Sequence, residues 1–330
     1  MRGKQLSGQS LSAQGCGGPL DRSLVDRLCH GLAWRRAAAL QQLRLLSARS
    51  RDAYLRAVIT RRWALRRQAG GAIRPHTLPA PLVISLTSFP ARYPTLGLTL
   101  RCLLLQSVRP DHIMLWIAEE HQADLPADVL ALRREGLVIG RCDNSLRSHN
   151  KYIHSRRLYP GAFIATADDD TYYGPGWLAD LIADYDPRQR VIPCHRVHRI
   201  TLRADGMPAA YRDWQWESAA TEADPMVFPT GVGGVLYPPD CLHRDVDDAA
   251  RILDLCPRAD DVWLYWMAQR QGYLFRRTAA IHRLHHWRHS QEQGLMWSNV
   301  YDGDGNDRQI AAMIGAFGWP LIPAPSPSHP

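Results

Sequence analysis

Apolar positions along this chain of 330 residues repeat with two different periods, and the change between them divides the sequence. In the first 75 residues Leu24, Leu28 and Leu32, and then Leu40, Leu43 and Leu46, recur at helical spacing with arginines between them. That pattern predicts two or three short basic amphipathic helices, closed by Gly70-Gly71 and broken by Pro75. From Pro81 onward short apolar runs alternate with helical stretches. PLVISLTS (81–88), HIMLWIAEE (112–120), LVIGRCD (137–143) and AFIATADDD (162–170) read as strands. Between them YPTLGLTLRCLLLQS (93–107), residues 126–135 with Pro126 at the start and Gly136 just past the end, and NKYIHSRRLYPG (150–161) read as helices. This rhythm predicts an α/β fold with a mostly parallel sheet and helices on both faces, and ligands at the carboxyl ends of the strands. Those ends are Thr87-Ser88, Asp143 and Asp168 to Asp170. Beyond 190 the order is less regular: RVIPCHRVHRI and GVGGVLYPP predict strands around a Gly-rich turn, and 259–272 a helix. The tail from Trp319 has five prolines in its last twelve residues and predicts disorder. The expected organisation is a basic helical extension over 1–80, partly disordered, a catalytic domain over 81–318, and a Pro-rich tail over 319–330.

Charge sharpens this division. The net charge is +8, but residues 1–80 hold fifteen Arg and Lys against three Asp, a balance of +12, while the remaining 25 basic and 29 acidic residues give −4. A mildly acidic body thus carries a strongly basic arm. The arm fits adhesion to an anionic surface, either a membrane face or nucleic acid, and equally fits helices packed on the body with a solvated Arg face. At 45% apolar and 22% charged residues, the composition excludes a fibre, a coiled coil or a wholly disordered chain. Seven scattered cysteines without a C-x-x-C pair argue against a disulfide framework and a zinc ribbon, and predict a reducing compartment. With no signal-peptide pattern and no apolar run long enough to span a bilayer, the expectation is a cytoplasmic protein held at the inner face of the membrane by its arm.

The chemistry concentrates in a few places. Three consecutive Asp at the end of an apolar strand repel one another, so packing does not explain them. Asp168 and Asp170 alternate toward one side of an extended chain, which suits a hard divalent ion, magnesium or manganese, with positions left for phosphate oxygens. The alternative is a solvated turn in which Asp170 caps the loop before Pro175. Lys151 is the only lysine among the body's 25 basic residues, and it falls in the first turn of a helix, where the dipole disfavours a cation and welcomes an anion. Lysine plus helix amides predicts a diphosphate site. Gly231, Gly233 and Gly234 mark a close backbone approach or positive φ. Asp260 and Asp261 open a helix, where one of them can serve as an N-cap. His282, His285 and His286 have the i, i+3, i+4 spacing of one helix face, without the glutamate of a catalytic zinc helix.

FIATADDDTYYGPGWL resembles the DxD segment of GT-A-fold nucleotide-sugar glycosyltransferases, with Asp168 and Asp170 in the DxD positions. VISLTSFPARYPTL, NKYIHSRRLYPGAFIATADDD, PTGVGGVLYPP, ADDVWL and MWSNVYDGDGNDRQI occur in the order of bacterial family-2-like members of that group and together span about 81–312. Residues 1–80 lie outside the resemblance. It implies a GT-A domain, a manganese or magnesium cofactor on Asp168 and Asp170, and transfer of a sugar with inversion to a glycan or lipid-linked acceptor, in surface glycan or polysaccharide synthesis. Nucleotide-sugar contacts are then expected from Thr87, Ser88, Arg92, Asp143, Lys151, Asp169, Gly233, Gly234, Trp297 and Asn299, with Asn306 and Asp307 in the same last block. Asp143 is placed for the base or ribose, with an Asx-turn to Asn144 as the alternative. Asp261 is the favoured base, with Asp260 binding the acceptor or capping the helix, or the two reversed. Two rival readings fit the same sequence. A nucleotidyltransferase or metal-dependent phosphoester hydrolase would use the same carboxylates. A nucleic-acid-binding protein would use the Arg-rich arm, but the body's −4 and the lack of an aromatic stacking motif weigh against nucleic acid.

Overall fold

The computed structural model describes residues 46–68, 73–290 and 305–319. The earlier part of the basic arm, the Gly70-Gly71 break, Trp297, Asn299 and the prolines of the tail all lie outside these residues. Backbone proximity divides the chain after Ala53 into two compact units. The described part of the first, 46–53, is helical and exposed apart from Asp52. The same helix, α1 (46–68), continues into the second unit, where Leu55 and Ile59 are buried. Residues upstream of 81 therefore contribute to this unit's core.

Nine strands and seven further helices follow in the second unit's main body: β1 (Leu82–Ser88), α2 (Tyr93–Leu104), β2 (His112–Ala118), α3 (Ala127–Ala131), β3 (Leu137–Cys142), α4 (Asn150–Leu158), β4 (Phe163–Thr166), α5 (Trp177–Ala183), β5 (Val191–Cys194), β6 (Val197–Arg199), β7 (Val227–Pro229), β8 (Val235–Tyr237), α6 (Ala249–Leu255), α7 (Asp260–Arg270), β9 (Leu274–Arg277) and α8 (Gly305–Phe317), counted among the described residues and leaving aside a two-residue pairing of 74–75 with 108–109. Seven of the strands form one sheet in the order β9-β5-β8-β4-β1-β2-β3. Neighbours are parallel except β8, which runs antiparallel to both β4 and β5. β6 and β7 form a separate antiparallel ribbon. The predicted mostly parallel α/β sheet is present, and the expected 126–135 helix is α3 continued by a tighter turn that Gly136 ends at φ +106°.

The strand expected over 162–170 keeps only Phe163–Thr166 in the sheet. Like charges cannot share the close spacing of a ladder, so the chain leaves the sheet just before Asp168. Parallel order then puts the ends of β1, β2, β3 and β4 along one edge, the topological position at which ligands bind. Two apolar clusters hold this edge in place. One packs α2, α5 and the inner face of β1 and β2, with Trp177 and Trp287 fully buried. The other surrounds α7, whose residues Val262 to Gln269 are all buried. A helix buried on every side over these residues has no solvent face to give up, and each large apolar side chain buried is worth about 1.5–3 kcal/mol. Its buried N-terminus is thereby fixed at the edge of the sheet. The five described cysteines are buried and unpaired.

Candidate active site

A cavity of 790 Å³ opens along that edge. Its inner wall is made by residues that follow the parallel strands and by the first turns of α4 and α7. The sequence-predicted Thr87, Ser88, Arg92, Lys151, Asp168, Asp169, Asp170, Gly231, Asp260 and Asp261 all line it.

Lys151 is the centre of this wall. Its side chain is 7% exposed, and its ammonium lies 3.1 Å from Asp168 Oδ1 and 2.9 Å from Asp260 Oδ2. One cation thus ties the end of β4 to the start of α7. Burial alone would lower the lysine's pKa, but Asp168, Asp260 and Asp261 outweigh it and hold the group well above its ordinary value. α4 is locked onto β1 beneath it: Ser85 donates to the Lys151 carbonyl and shares a 2.7 Å hydrogen bond with Ser155. Trp116 donates its indole N–H to the same Ser155 hydroxyl at 2.8 Å.

Around this centre five carboxylates occupy distinct environments. The Arg92 guanidinium donates to Asp170 and to the Ser290 carbonyl, and its Nε lies 4.0 Å from Asp169 Oδ1. Burial pushes the Asp170 pKa up, but His286, 3.5 Å away, and Arg92 together bring it below the usual carboxylate range. Asp169 accepts a 2.6 Å hydrogen bond from Ser88, and burial followed by the neighbouring Asp170 charge pushes it up to about 7. Asp168 is a quarter exposed, with its backbone N–H bound to the Tyr173 hydroxyl at 2.8 Å. At the head of α7, Asp260 is held low because Lys151 and His149 outweigh its burial. Asp261 is half-buried and is pushed up to about 7 by burial and by the Asp260 charge.

The Gly-rich turn closes the wall. A Cβ on Gly231 would stand 2.5 Å from Asp261 Oδ1 and 3.0 Å from Lys151 Nζ, so only glycine fits beside both groups. Gly234, at φ +110°, lies against Trp177, and neither it nor Gly233 lines the cavity. The positive φ values expected for these two serve packing behind the site.

No family model and no curated protein sequence matches the chain. Among solved structures, similarity is found to residues 1–349 of TarS from S. aureus, at 12% identity over 71% of this chain and 70% of that one, with a TM-score of 0.43. A second is the mannosyltransferase PcManGT from Pyrobaculum calidifontis in complex with GDP-Man and Mn2+, at 13% identity, 68% and 65% coverage and a TM-score of 0.38. A third is the inositol-1-phosphate CTP transferase from T. maritima, at 11% identity, 63% and 86% coverage and a TM-score of 0.33.

Other expected residues lie elsewhere. Asp143 is exposed, and its carboxylate accepts from the Ser145 backbone N–H at 2.6 Å, capping its own turn; Asn144 and Ser145, not Asp143, line the cavity. The three histidines do not share a helix face, because His286 forms an isolated bridge with Thr171 and 281–285 is not helical. Its backbone pairs with the loop after β4: Tyr172 N–H donates to His285 O and Trp287 N–H to Asp170 O, each at 2.9 Å. His282 is consequently on Asp180 at 2.8 Å, His285 packs edge-on against Trp287, and His286 alone of the three lines the cavity. Asn306 lines it too, while Asp307 accepts from the Tyr211 N–H at 2.7 Å.

An outer wall was not anticipated. Arg147, Arg196, His198, Tyr211, Trp216 and Arg258 also line the cavity. His198 comes from β6, Tyr211 and Trp216 from the 205–225 stretch, and Arg147, Arg196 and Arg258 from three connecting segments, and the one signal in the sequence is the aromatic spacing of YRDWQW.

Proposed function

We propose that this protein is an inverting glycosyltransferase that moves a sugar from a nucleoside-diphosphate donor to an acceptor hydroxyl. The observation that carries this reading is the juxtaposition of Asp168 to Asp170 at a parallel strand end, Lys151 bridging to α7, and the half-buried Asp261 beside it, all in one cavity. Thr87, Ser88, Asn144 and Ser145 offer hydroxyls and an amide to the nucleoside at the ends of β1 and β3. The Asp261 carboxylate takes the proton of the acceptor hydroxyl as that oxygen bonds to the anomeric carbon. The bond from that carbon to the diphosphate oxygen breaks on the opposite face, and its electron pair departs on the nucleoside diphosphate. Lys151, already inside a low-dielectric wall, stabilises the charge that grows on the leaving group. Asp260 holds Lys151 in place.

The residues fit a divalent cation shared with the donor. Among the described residues no three His, Cys, Asp or Glu side chains form a metal-ligand group. Asp168 and Asp170 nonetheless face a cavity wall in which five carboxylates meet two buried cations, Lys151 and Arg92. Magnesium and manganese sites of this kind use one or two carboxylates plus substrate phosphate oxygens. When bound, the ion supplies further neutralisation of the diphosphate. The described part of the arm fits peripheral attachment to an anionic membrane: α1 leaves Arg61, Arg67, Tyr54 and Leu65 exposed. Among the described residues no helix is long and apolar enough to cross a membrane. Synthesis of a surface glycan or polysaccharide is the role this reading gives the enzyme.

A thermal-shift panel of nucleotide sugars, each with and without manganese, tests the proposal. One donor class should raise the melting temperature, more so with the metal, by binding linkage. No shift with any nucleotide sugar contradicts it.

A further inference from the structure

Tyr211 carries a polar group that the fold itself does not use. The residue is 7% exposed, and its ring packs against His198, Trp214, Trp216 and Phe228 with centroids 4.7–6.1 Å apart. Its main chain is tied as well: the N–H donates to the Asp307 carboxylate at 2.7 Å, and the carbonyl accepts the Trp216 indole N–H at 3.3 Å. Aromatic side chains around it also use their polar ends, Trp214 on the Ala209 carbonyl at 3.0 Å and Tyr265 on the Pro225 carbonyl at 2.5 Å. The Tyr211 hydroxyl, by contrast, has no hydrogen-bond partner among the described residues. Tyr211 lines the cavity, which leaves that hydroxyl to whatever the cavity binds.

Packing does not account for this oxygen. Phe228, in the same apolar cluster, shows that the region accepts a phenyl ring, and a hydroxyl buried without a partner costs stability. Burial, followed by the Asp261 charge, pushes the Tyr211 pKa up, so the group remains an O–H and can donate. The same influence puts the hydroxyl within range of the Asp261 carboxylate. A second unused group stands close by: Asn306, next to Asp307 in the first turn of α8, lines the cavity with its buried Oδ1 unpaired among the described residues.

Position selects the part of the substrate that this hydroxyl meets. Lys151 and Asp261 both close on Gly231, so they are neighbours in the wall. In the transferase reading the diphosphate departs toward Lys151 while Asp261 acts from the opposite face of the same anomeric carbon, which puts the transferred sugar beside both. The nucleoside, in that reading, lies at the ends of β1 and β3. We infer that Tyr211 is a specificity-determining residue whose hydroxyl donates a hydrogen bond to an oxygen of the transferred sugar. This rests on the transferase reading of the cavity and assigns a residue to the sugar half of the donor.

Isothermal titration of the full chain in manganese tests it, with UDP-glucose, UDP-N-acetylglucosamine and GDP-mannose set against UDP and GDP. Wild type should bind at least one nucleotide sugar. Tyr211→Phe should weaken that nucleotide sugar about three- to tenfold, the loss expected for one neutral hydrogen bond, and bind the matching nucleoside diphosphate with unchanged affinity. The variant's melting temperature should equal or exceed that of wild type, because no bond within the protein is lost. General damage to the cavity would weaken both ligands alike and does not mimic this split. Equal affinity of the two proteins for the nucleotide sugar, an equal loss for the nucleoside diphosphate, or a melting temperature lowered by several degrees overturns the inference, while binding by wild type leaves the transferase reading intact. If wild type binds none of the nucleotide sugars, the transferase reading fails and the assignment of Tyr211 fails with it.

Discussion

The two walls of the cavity are built on opposite principles. The inner wall buries charge: Asp168, Asp169, Asp170, Asp260 and Asp261 surround Lys151 and Arg92, on residues clamped to a parallel sheet and to α7, which is buried from Val262 to Gln269. The outer wall offers aromatic rings and arginines on loops and on the β6/β7 ribbon, with Arg147 and Arg258 exposed. Charges that must meet a developing transition state are useful only if they do not relax, and a rigid framework prevents that. A surface that must choose among acceptors can be carried by loops on a scaffold. Inner-wall substitutions should therefore act on chemistry and stability together, and outer-wall substitutions chiefly on recognition.

The largest contrast comes from Asp261→Asn, which should keep donor binding and lower transfer by about 10²–10⁴-fold in a steady-state assay. If Asp260→Asn alone has that effect, the two roles are reversed. Lys151→Met leaves Asp168 and Asp260 without their cation and should cost about 3–5 kcal/mol in urea unfolding, whereas loss of an exposed outer-wall charge costs well under 1 kcal/mol. An unfolding midpoint equal to wild type would show that the buried ion triad does not hold the wall together.

How much of this contrast the sequence displays depends on how local each signal is. Asp168 to Asp170 follow one strand, and Lys151 departs from the composition around it, so both can be read without tertiary information. The partnership of Lys151 with Asp260 crosses more than a hundred residues and becomes visible only when α7 is docked. Asp143 shows the limit of strand-end reasoning, since a carboxylate two residues before a free N–H satisfies it locally before any ligand arrives. The histidine spacing misleads for a related reason: i, i+3, i+4 describes a helix face only if the segment is helical, and this one is instead held by backbone pairing with the loop after β4. The outer wall is the least legible, because His198, Tyr211 and Trp216 meet through an irregular region with no period to read.

Smaller effects sharpen the same comparison. Asp170→Asn should reduce manganese-stimulated turnover by on the order of 10²-fold and leave any metal-independent background. A full manganese response in that variant would remove Asp170 from the metal site. In wild type, kcat/KM should fall as pH drops below about 7. The raised Asp261 pKa means the carboxylate becomes protonated there and cannot accept a proton, so the rate should decline about tenfold per pH unit. The sign for folding is separate: the folded state holds that proton more tightly than the unfolded chain, so Asp261 favours folding at acid pH, and its contribution is lost as pH rises toward 7. A flat rate profile from pH 5 to 8 would contradict the assignment. Arg147→Gly is the smallest. Its backbone, at φ +49° and ψ −121°, suits glycine, so the variant should gain about 0.5–1 kcal/mol of stability by thermal unfolding.

The most direct test of the whole account is phosphorus-31 NMR of a reaction containing the donor that shifts the melting temperature, manganese and a saccharide acceptor. Wild type should release nucleoside diphosphate in step with glycoside formation, and Asp261→Asn should bind the donor but release almost none. Release of pyrophosphate or nucleoside monophosphate, or equal turnover by the two proteins, would contradict it.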